Sequence, residues 1–238
     1  MRTVLITGGS RGIGAAMVRR FSSAGDRVYF TYLHSEREAL DLSGETGAKA
    51  IRSDAASGGQ IRQTVREILE EAGRIDVLIC NAGTDLNRML ADTTDEEYRR
   101  VMDTNVFGTF AMIREVLPGM FWQRQGCILT VSSIWGQTGA SCEAVYSASK
   151  AAVIGLTQAA AKEAGGAGIR VNCIAPGIID TQMNARLSEA EKEEITGGIP
   201  LERTGTPEEV ADTAWFLASE AAGYITGQVI PVNGGWRI

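Results

Sequence analysis

Histidine occurs once in the 238 residues, as His34, and the four cysteines, Cys80, Cys127, Cys142 and Cys173, stand far apart with no CxxC pair. That inventory argues against a metal centre built on His and Cys, leaving only carboxylates as ligands for a weak Mg²⁺, and no metal is expected. Three of the cysteines lie in apolar runs and read as buried, inert thiols. No apolar run approaches the roughly 20 residues of a membrane-crossing helix. Basic runs are missing as well. The formal charge of −6 argues against a chain that grips nucleic acid or an anionic membrane. The opening residues Met1–Thr7 run straight into glycines, too short for a signal peptide, so a cytoplasmic protein is expected. No linker, repeat or low-complexity tract breaks the chain, and its length fits one large domain over 1–238.

What is present is alternation. Short apolar runs at Thr3–Thr7, Val28–Tyr32, Ala50–Arg52, Val77–Asn81, Cys127–Ser132, Arg170–Ala175 and Val229–Val232 are separated by longer stretches of helical period. Several runs are continuously apolar, as strands buried on both faces of a parallel sheet must be. Thr94 with Glu97, Ser188 with Glu191, and Thr206-Pro207-Glu208-Glu209 have the form of capping boxes that start helices. Strand–helix alternation along the whole chain implies an α/β fold with a doubly wound parallel sheet.

Three places carry chemistry. The first strand ends in Thr7-Gly8-Gly9-Ser10-Arg11-Gly12-Ile13-Gly14 and is followed by a helical pattern. Glycines there allow a tight turn and let backbone N–H groups approach a pyrophosphate at a helix N-terminus; a plain turn is the alternative. Tyr146 and Lys150, four apart, share one helix face. An ammonium beside a phenol lowers the phenol's pKa, so such a Tyr can protonate a developing alkoxide near neutral pH. The bland reading is a surface pair. Ser133 follows the strand Cys127–Ser132, where open α/β sheets place their ligands, and either orients a substrate oxygen or caps a turn. Asn105 shares a helical stripe with Tyr98, Val101 and Met102. An inward amide must find partners, in a structural network or in a proton relay.

Together these residues resemble the short-chain dehydrogenase/reductase family, through Thr7-Gly8-xxx-Gly12-Ile13-Gly14, Asn81-Ala82-Gly83, Asn105, Ser133, Tyr146-xxx-Lys150 and Pro176-Gly177-Ile178-Ile179-Asp180-Thr181. The resemblance spans essentially the whole chain. It implies a Rossmann-like sheet of seven strands in the order 3-2-1-4-5-6-7 with helices on both faces. It implies carbonyl–alcohol interconversion, with Tyr146 as general acid, Lys150 tuning it and holding the nicotinamide ribose, Ser133 orienting the carbonyl, and Asn105 supporting a water linked to Lys150. Cofactor contacts are implied for Gly8, Ser10, Arg11, Gly12, Ile13 and Gly14 at the turn, and for Ser35 after the second strand. Further contacts fall to Asp54 and Ala55 after the third strand, Asn81, Ala82 and Gly83 after the fourth, and Pro176, Gly177, Ile179 and Thr181 after the sixth. Cys80 replaces the first Asn of the family's Asn-Asn-Ala-Gly.

Enzymes that prefer NAD place an acid at the end of the second strand to accept from the ribose hydroxyls. Here that strand runs Thr31-Tyr32-Leu33-His34-Ser35 with no acid before Glu36, while Arg11 can meet a 2′-phosphate and Ser35 or His34 can add a hydrogen bond. NADP(H) is therefore expected over NAD(H). Within the family the chain is most similar to bacterial 3-oxoacyl-[acyl-carrier-protein] reductases. Arg124 matches a base that docks the acidic carrier in those enzymes, whereas the second such position, near Ala167, lacks one. The loop Ser133-Ile134-Trp135-Gly136-Gln137-Thr138-Gly139-Ala140-Ser141-Cys142-Glu143 is similar instead to reductases of an aminopentanone modification on elongation factor P, with Glu143 as the partner for an amine. A catalytically silent NADP-binding sensor is the rival from another class. Ile178–Pro200, with Met183, Leu187 and Ile199 among charges, reads as a lid or a plain surface helix. The small-residue face of the Tyr–Lys helix, with the resemblance, implies a homotetramer.

Overall fold

The computed structural model describes residues 1–182 and 189–237. Strands β1 (Thr3–Ile6), β2 (Arg27–Tyr32), β3 (Lys49–Arg52), β4 (Val77–Cys80), β5 (Gly126–Val131), β6 (Ile169–Pro176) and β7 (Val229–Val232) form one parallel sheet in the order β3-β2-β1-β4-β5-β6-β7. Each falls on an apolar run read from the sequence, and the order is the one implied by the resemblance. The helices are α1 (Gly12–Ser23), α2 (Glu36–Thr46), α3 (Gly58–Ala72), α4 (Asp95–Met102), α5 (Gly108–Gln123), α6 (Trp135–Thr138), α7 (Ala144–Ala164), α8 (Glu189–Gly197) and α9 (Pro207–Leu217).

Helices cover both faces because the strands are apolar on both. Val4 and Ile6 of β1 join one buried cluster and Leu5 the other; in β2, Val28 and Phe30 divide from Tyr29 in the same way. The first face is packed by Met17 and Phe21 of α1, Leu42 of α2 and Val210 and Leu217 of α9. The second is packed by Ile61 and Ile68 of α3, Met112 and Met120 of α5 and Ala161 of α7. Cys80 and Cys127 lie in this packing and Cys173 is buried as well; burial pushes the Cys80 thiol up to about 12 and that of Cys127 to about 11, which keeps both protonated and inert.

Two of the three capping boxes are present in full. Thr94 accepts from the Glu97 N–H at 3.2 Å while the Glu97 carboxylate accepts from the Thr94 N–H at 3.0 Å. Thr206 and Glu209 repeat the arrangement, with Pro207 at the first helical position. Ser188, Met183 and Leu187 lie outside the described residues, and with them the third box; the rest of the stretch expected as a lid or a surface helix holds the helix α8 (Glu189–Gly197), and Ile199, near its far end, is buried.

The stripe drawn through Tyr98, Val101, Met102 and Asn105 needs correction. Val101 and Asn105 are buried, but Tyr98 is 48% exposed. The spacing assumed a regular helix. Within regular α4, Val101 faces the core and Tyr98 does not; after it a wider turn of i→i+5 type at Asp103–Phe107 precedes α5, so the period drawn from Tyr98 to Asn105 does not run through one regular helix. Among the described residues no helix is long and apolar enough to cross a membrane.

Candidate active site

The strand order reverses direction at β1 and β4, which opens a crevice beyond their carboxyl ends. The glycine turn from β1 forms one wall and Asn81-Ala82-Gly83 from β4 the other. They touch so closely that a Cβ at Gly8, whose φ is +65°, would stand 2.8 Å from Ala82 Cα. A Cβ at Gly14 would collide with the Gly8 carbonyl oxygen and approach Asn81 Nδ2 to 2.7 Å. Thr7 sutures the walls: its Oγ1 accepts from the N–H groups of both Asn81 and Ala82 at 3.0 Å. Asn81 Nδ2 returns hydrogen bonds to the carbonyls of Thr7 and Gly8, each 3.0 Å. The Asn81 amide N–H groups thus brace the turn. A smooth glycine cradle with the N-terminus of α1 behind it is the shape and polarity a dinucleotide pyrophosphate fits.

The remaining sequence-selected residues divide by what they already bind. Arg11, the residue before α1, donates from Nη1 to Gln182 Oε1 at 2.9 Å, and Thr181 Cγ2 packs toward Gly12, so the segment after β6 lies over the turn. Ser10, also in the turn, is half-buried, and Ile13 packs its side chain on the core. Ser35 stands at the start of α2 without a side-chain cap bond. Glu36, the first acid after β2, is 3.4 Å from the Tyr32 hydroxyl. Asp54 Oδ1 accepts from Ala56 N–H at 2.8 Å in a tight turn after β3, beside Ala55. Pro176 ends β6, and the Gly177 N–H donates to Val232 O at 2.9 Å. Ile179 is buried.

Further along the same edge, Ser133, Tyr146, Lys150 and Asn105 converge. Ser133 follows β5 and is buried; its Oγ accepts from Trp135 N–H at 3.2 Å, and its hydroxyl lies near enough to the Tyr146 phenol to lower that phenol's pKa. Asn105 is 1% exposed, and its amide is fully engaged. Oδ1 accepts from Thr84 N–H at 2.8 Å, and Nδ2 donates to Thr84 O and Ser149 Oγ, each 2.9 Å. Ser149 in turn donates to the Tyr146 carbonyl at 2.7 Å. A Cβ on Gly83 would be 3.3 Å from both Asn105 Oδ1 and Lys150 Nζ, so the β4 loop, the wide turn and α7 meet at one point.

The electrostatics differ from the sequence expectation. Burial pushes the Tyr146 phenol up to about 12; the Ser133 hydrogen bond pulls it down, and the carboxylates of Glu143 and Asp85 push it up. Lys150 does not hold it down. Its Nζ donates to the Val131 carbonyl at 2.9 Å and stands 5.6 Å from the centre of the Tyr146 ring. Burial lowers Lys150 itself to about 8.

Sequence reasoning quoted Thr7 in the turn motif without its bracing role, and missed the other supporting groups: Thr84, Ser149, Ser132, which donates to the Lys150 carbonyl at 2.8 Å, and the Trp135–Trp236 ring pair. A hydroxyl one residue before the Lys of the Tyr–Lys motif was a readable signal for Ser149. Nothing local marks the others.

Comparison with known proteins agrees with this arrangement. A family model described as enoyl-(acyl carrier protein) reductase, a branch of the short-chain dehydrogenase/reductases, matches residues 8–237. The chain is 41% identical to the 3-oxoacyl-[acyl-carrier-protein] reductase FabG of Chlamydia muridarum, covering 98% of this chain and 96% of that protein. It is 40% identical to the protein of the same name from Staphylococcus epidermidis, over 98% of each, and 39% identical to that of Staphylococcus aureus strain Mu50, over 98% of this chain and 97% of the other. With fold, site order and full-length similarity in accord, the chain belongs to the short-chain dehydrogenase/reductase family, oxidoreductases that act on CH–OH groups.

Proposed function

We propose that the protein is an NADP(H)-dependent reductase of a 3-oxoacyl thioester or a closely related ketone, with 1–238 acting as one catalytic domain. The observation that carries the reading is the convergence of Ser133, Tyr146 and Lys150 beyond the carboxyl ends of the strands, with the Ser133 hydroxyl near enough to act on the Tyr146 phenol and Lys150 Nζ 5.6 Å from the Tyr146 ring centre. Gly8, Gly12 and Gly14 would hold the pyrophosphate, and Arg11 with Ser35 the 2′-phosphate. Asp54 and Ala55 would meet the adenine, Asn81, Ala82 and Gly83 the adenosine ribose, and Ile179 and Thr181 the carboxamide. The bound nicotinamide supplies the hydride that reduces the carbonyl carbon.

The chain's own groups do the rest. Ser133 donates to the ketone oxygen and fixes its position. Tyr146, protonated across the physiological range because burial holds its phenol high, delivers its proton to that oxygen as negative charge develops. Lys150 moves its ammonium from the Val131 carbonyl toward the ribose and the phenol, where it stabilises the phenolate left behind. Asn105 is a positioning residue: its amide locks Thr84 and, through Ser149, the Tyr146 backbone.

The relatives' names support a 3-oxoacyl substrate, and the exposed Arg124 offers one base to an acidic carrier. A second reading, a ketone bearing an amine such as the aminopentanone group on elongation factor P, is favoured by Glu143 and Asp85, whose carboxylates lie near enough to act on the Tyr146 phenol. The outward α7 residues Ala148, Ala151 and Gly155, with no atom near Gly155 where a Cβ would stand, support helix pairing in a homotetramer.

The test follows NADPH oxidation with acetoacetyl thioester and with an amino-ketone, wild type against Tyr146→Phe. Loss of the general acid lowers kcat by about 10²–10⁴-fold with NADPH binding kept. Equal rates in the two proteins refute Tyr146 as the acid. NADPH binding without turnover of any ketone means a sensor.

A further inference from the structure

Trp135 and Trp236 pack edge to face with ring centroids 5.2 Å apart. Trp135 opens α6, two residues after Ser133, and its N–H is bonded to the Ser133 hydroxyl. Trp236 comes from beyond β7. Because β5 and β7 flank β6 in the sheet, the two indoles meet across the carboxyl end of β6, on the edge that carries Ser133 and Tyr146. Both are only half-buried, so part of the pair is left open on that edge.

The tail that brings Trp236 there is built, not loose. Gly234 and Gly235 take φ values of +64° and +85°, and a Cβ on Gly234 would strike Ile199 Cγ2 at 2.7 Å. Asn233 ties the turn together, accepting from Gly235 N–H at 3.0 Å through Oδ1 and donating from Nδ2 to Arg237 O at 2.8 Å. Leu201 N–H donates to Gly234 O at 3.2 Å. The pair therefore forms a braced, apolar corner of two large side chains beside Ser133, the residue proposed to hold the ketone.

We propose that the Trp135–Trp236 pair is the end wall of the substrate pocket and that Trp236 sets an upper limit on the length of the chain attached to the reacting ketone. This rests on the reductase reading above. Short 3-oxo substrates fit in front of the indoles, and longer ones meet them. Pockets of this kind discriminate by added methylenes because a rigid wall cannot be displaced without breaking its packing.

The experiment compares NADPH-dependent reduction of acetoacetyl and 3-oxooctanoyl N-acetylcysteamine thioesters by wild type, Trp236→Ala, Trp236→Phe and Trp135→Ala. Wild type should prefer the four-carbon substrate. Trp236→Ala should shift the ratio of kcat/KM toward the eight-carbon substrate by about tenfold or more, through KM, with Trp236→Phe shifted less and Trp135→Ala in the same direction. A purely structural role would lower both activities together and leave the ratio alone. Active variants with an unchanged ratio overturn the proposal; if Trp236→Ala does not fold, Trp236→Phe and Trp135→Ala carry the same decision. A wild-type protein that reduces neither thioester overturns the reductase reading itself, and the length limit falls with it.

Discussion

Lys150 carries a cost in the folded chain that can be measured apart from catalysis. It is 5% exposed, with one hydrogen bond, to Val131 O, and burial lowers it from 10.5 to about 8. An unfolded chain keeps this proton up to about pH 10.5, whereas the folded chain releases it near pH 8. Between those values the unfolded state binds more protons, so stability rises with pH; below pH 8 the penalty of the buried ammonium is fully present. From pH 7 to pH 9.5 this single group should add about 2 kcal/mol to the wild-type unfolding free energy. Lys150→Met keeps the length and apolar stem of the side chain and removes the titration. Urea unfolding of both proteins at the two pH values isolates the effect, because every other group cancels in the difference between them. The wild-type curve should gain about 2 kcal/mol on the variant as pH rises. Parallel pH dependence in the two proteins would refute the claim that the ammonium is desolvated in the folded state.

Thr7→Val keeps the shape but removes the oxygen that accepts from both Asn81 and Ala82, leaving two N–H groups at the join of β1 and β4; urea unfolding should show a loss of about 2 kcal/mol or more. Arg11→Ala should raise KM for NADPH by about tenfold or more and KM for NADH much less, since NADPH alone carries the 2′-phosphate proposed to meet the guanidinium; steady-state kinetics with both cofactors decide it. Thr206→Ala removes the cap at the start of α9, where Oγ1 accepts from Glu209 N–H at 3.3 Å. Thermal unfolding should report about 1 kcal/mol lost with kcat unchanged.

The readable part of this chain is the part where backbone or spacing restricts residue choice. The glycines after β1 are legible because the crevice leaves no room for a Cβ at Gly8 or Gly14. Tyr146 and Lys150 are legible because α7 is regular and a four-residue spacing puts them on one face. The stripe through Tyr98 is not legible in this way: Tyr98 stands exposed within α4, and the wide turn at Asp103–Phe107, which has no local signature, interrupts the period before Asn105. The two readings of Asn105 could not be separated in sequence either: its partners Thr84 and Ser149 come from different elements. Lys150 was expected to act on Tyr146 because they are neighbours on a helix. Its competing partner, the Val131 carbonyl, lies on a strand brought in only by folding. The Trp135–Trp236 contact is of the same kind, joining segments that follow β5 and β7.

One pattern connects these supports to the chemistry. The backbone carbonyls of Asn105, Tyr146 and Lys150 each accept a hydroxyl: Thr109 Oγ1 at 2.8 Å, Ser149 Oγ at 2.7 Å and Ser132 Oγ at 2.8 Å. Hydroxyl groups inside helices usually weaken them by competing for such carbonyls. Here the competition falls on the three residues whose positions matter most, and it joins them to one another and to the end of β5. Proton transfer to a developing alkoxide needs its donor held within about half an ångström of the productive place, and rigid elements achieve this better than loops. A phenol on α7, a serine after β5 and an amide in the wide turn would drift independently if only side-chain packing held them. Because Ser132 ties the Lys150 backbone to the strand end that also carries Ser133, a shift of α7 along its axis would break the Ser132–Lys150 and Ser149–Asn105 hydrogen bonds together. Tyr146 and Ser133, the proposed proton donor and ketone-holding group, are thereby tied to one strand end, and the proposed mechanism asks for one further movement, that of the Lys150 ammonium from the Val131 carbonyl toward the phenol.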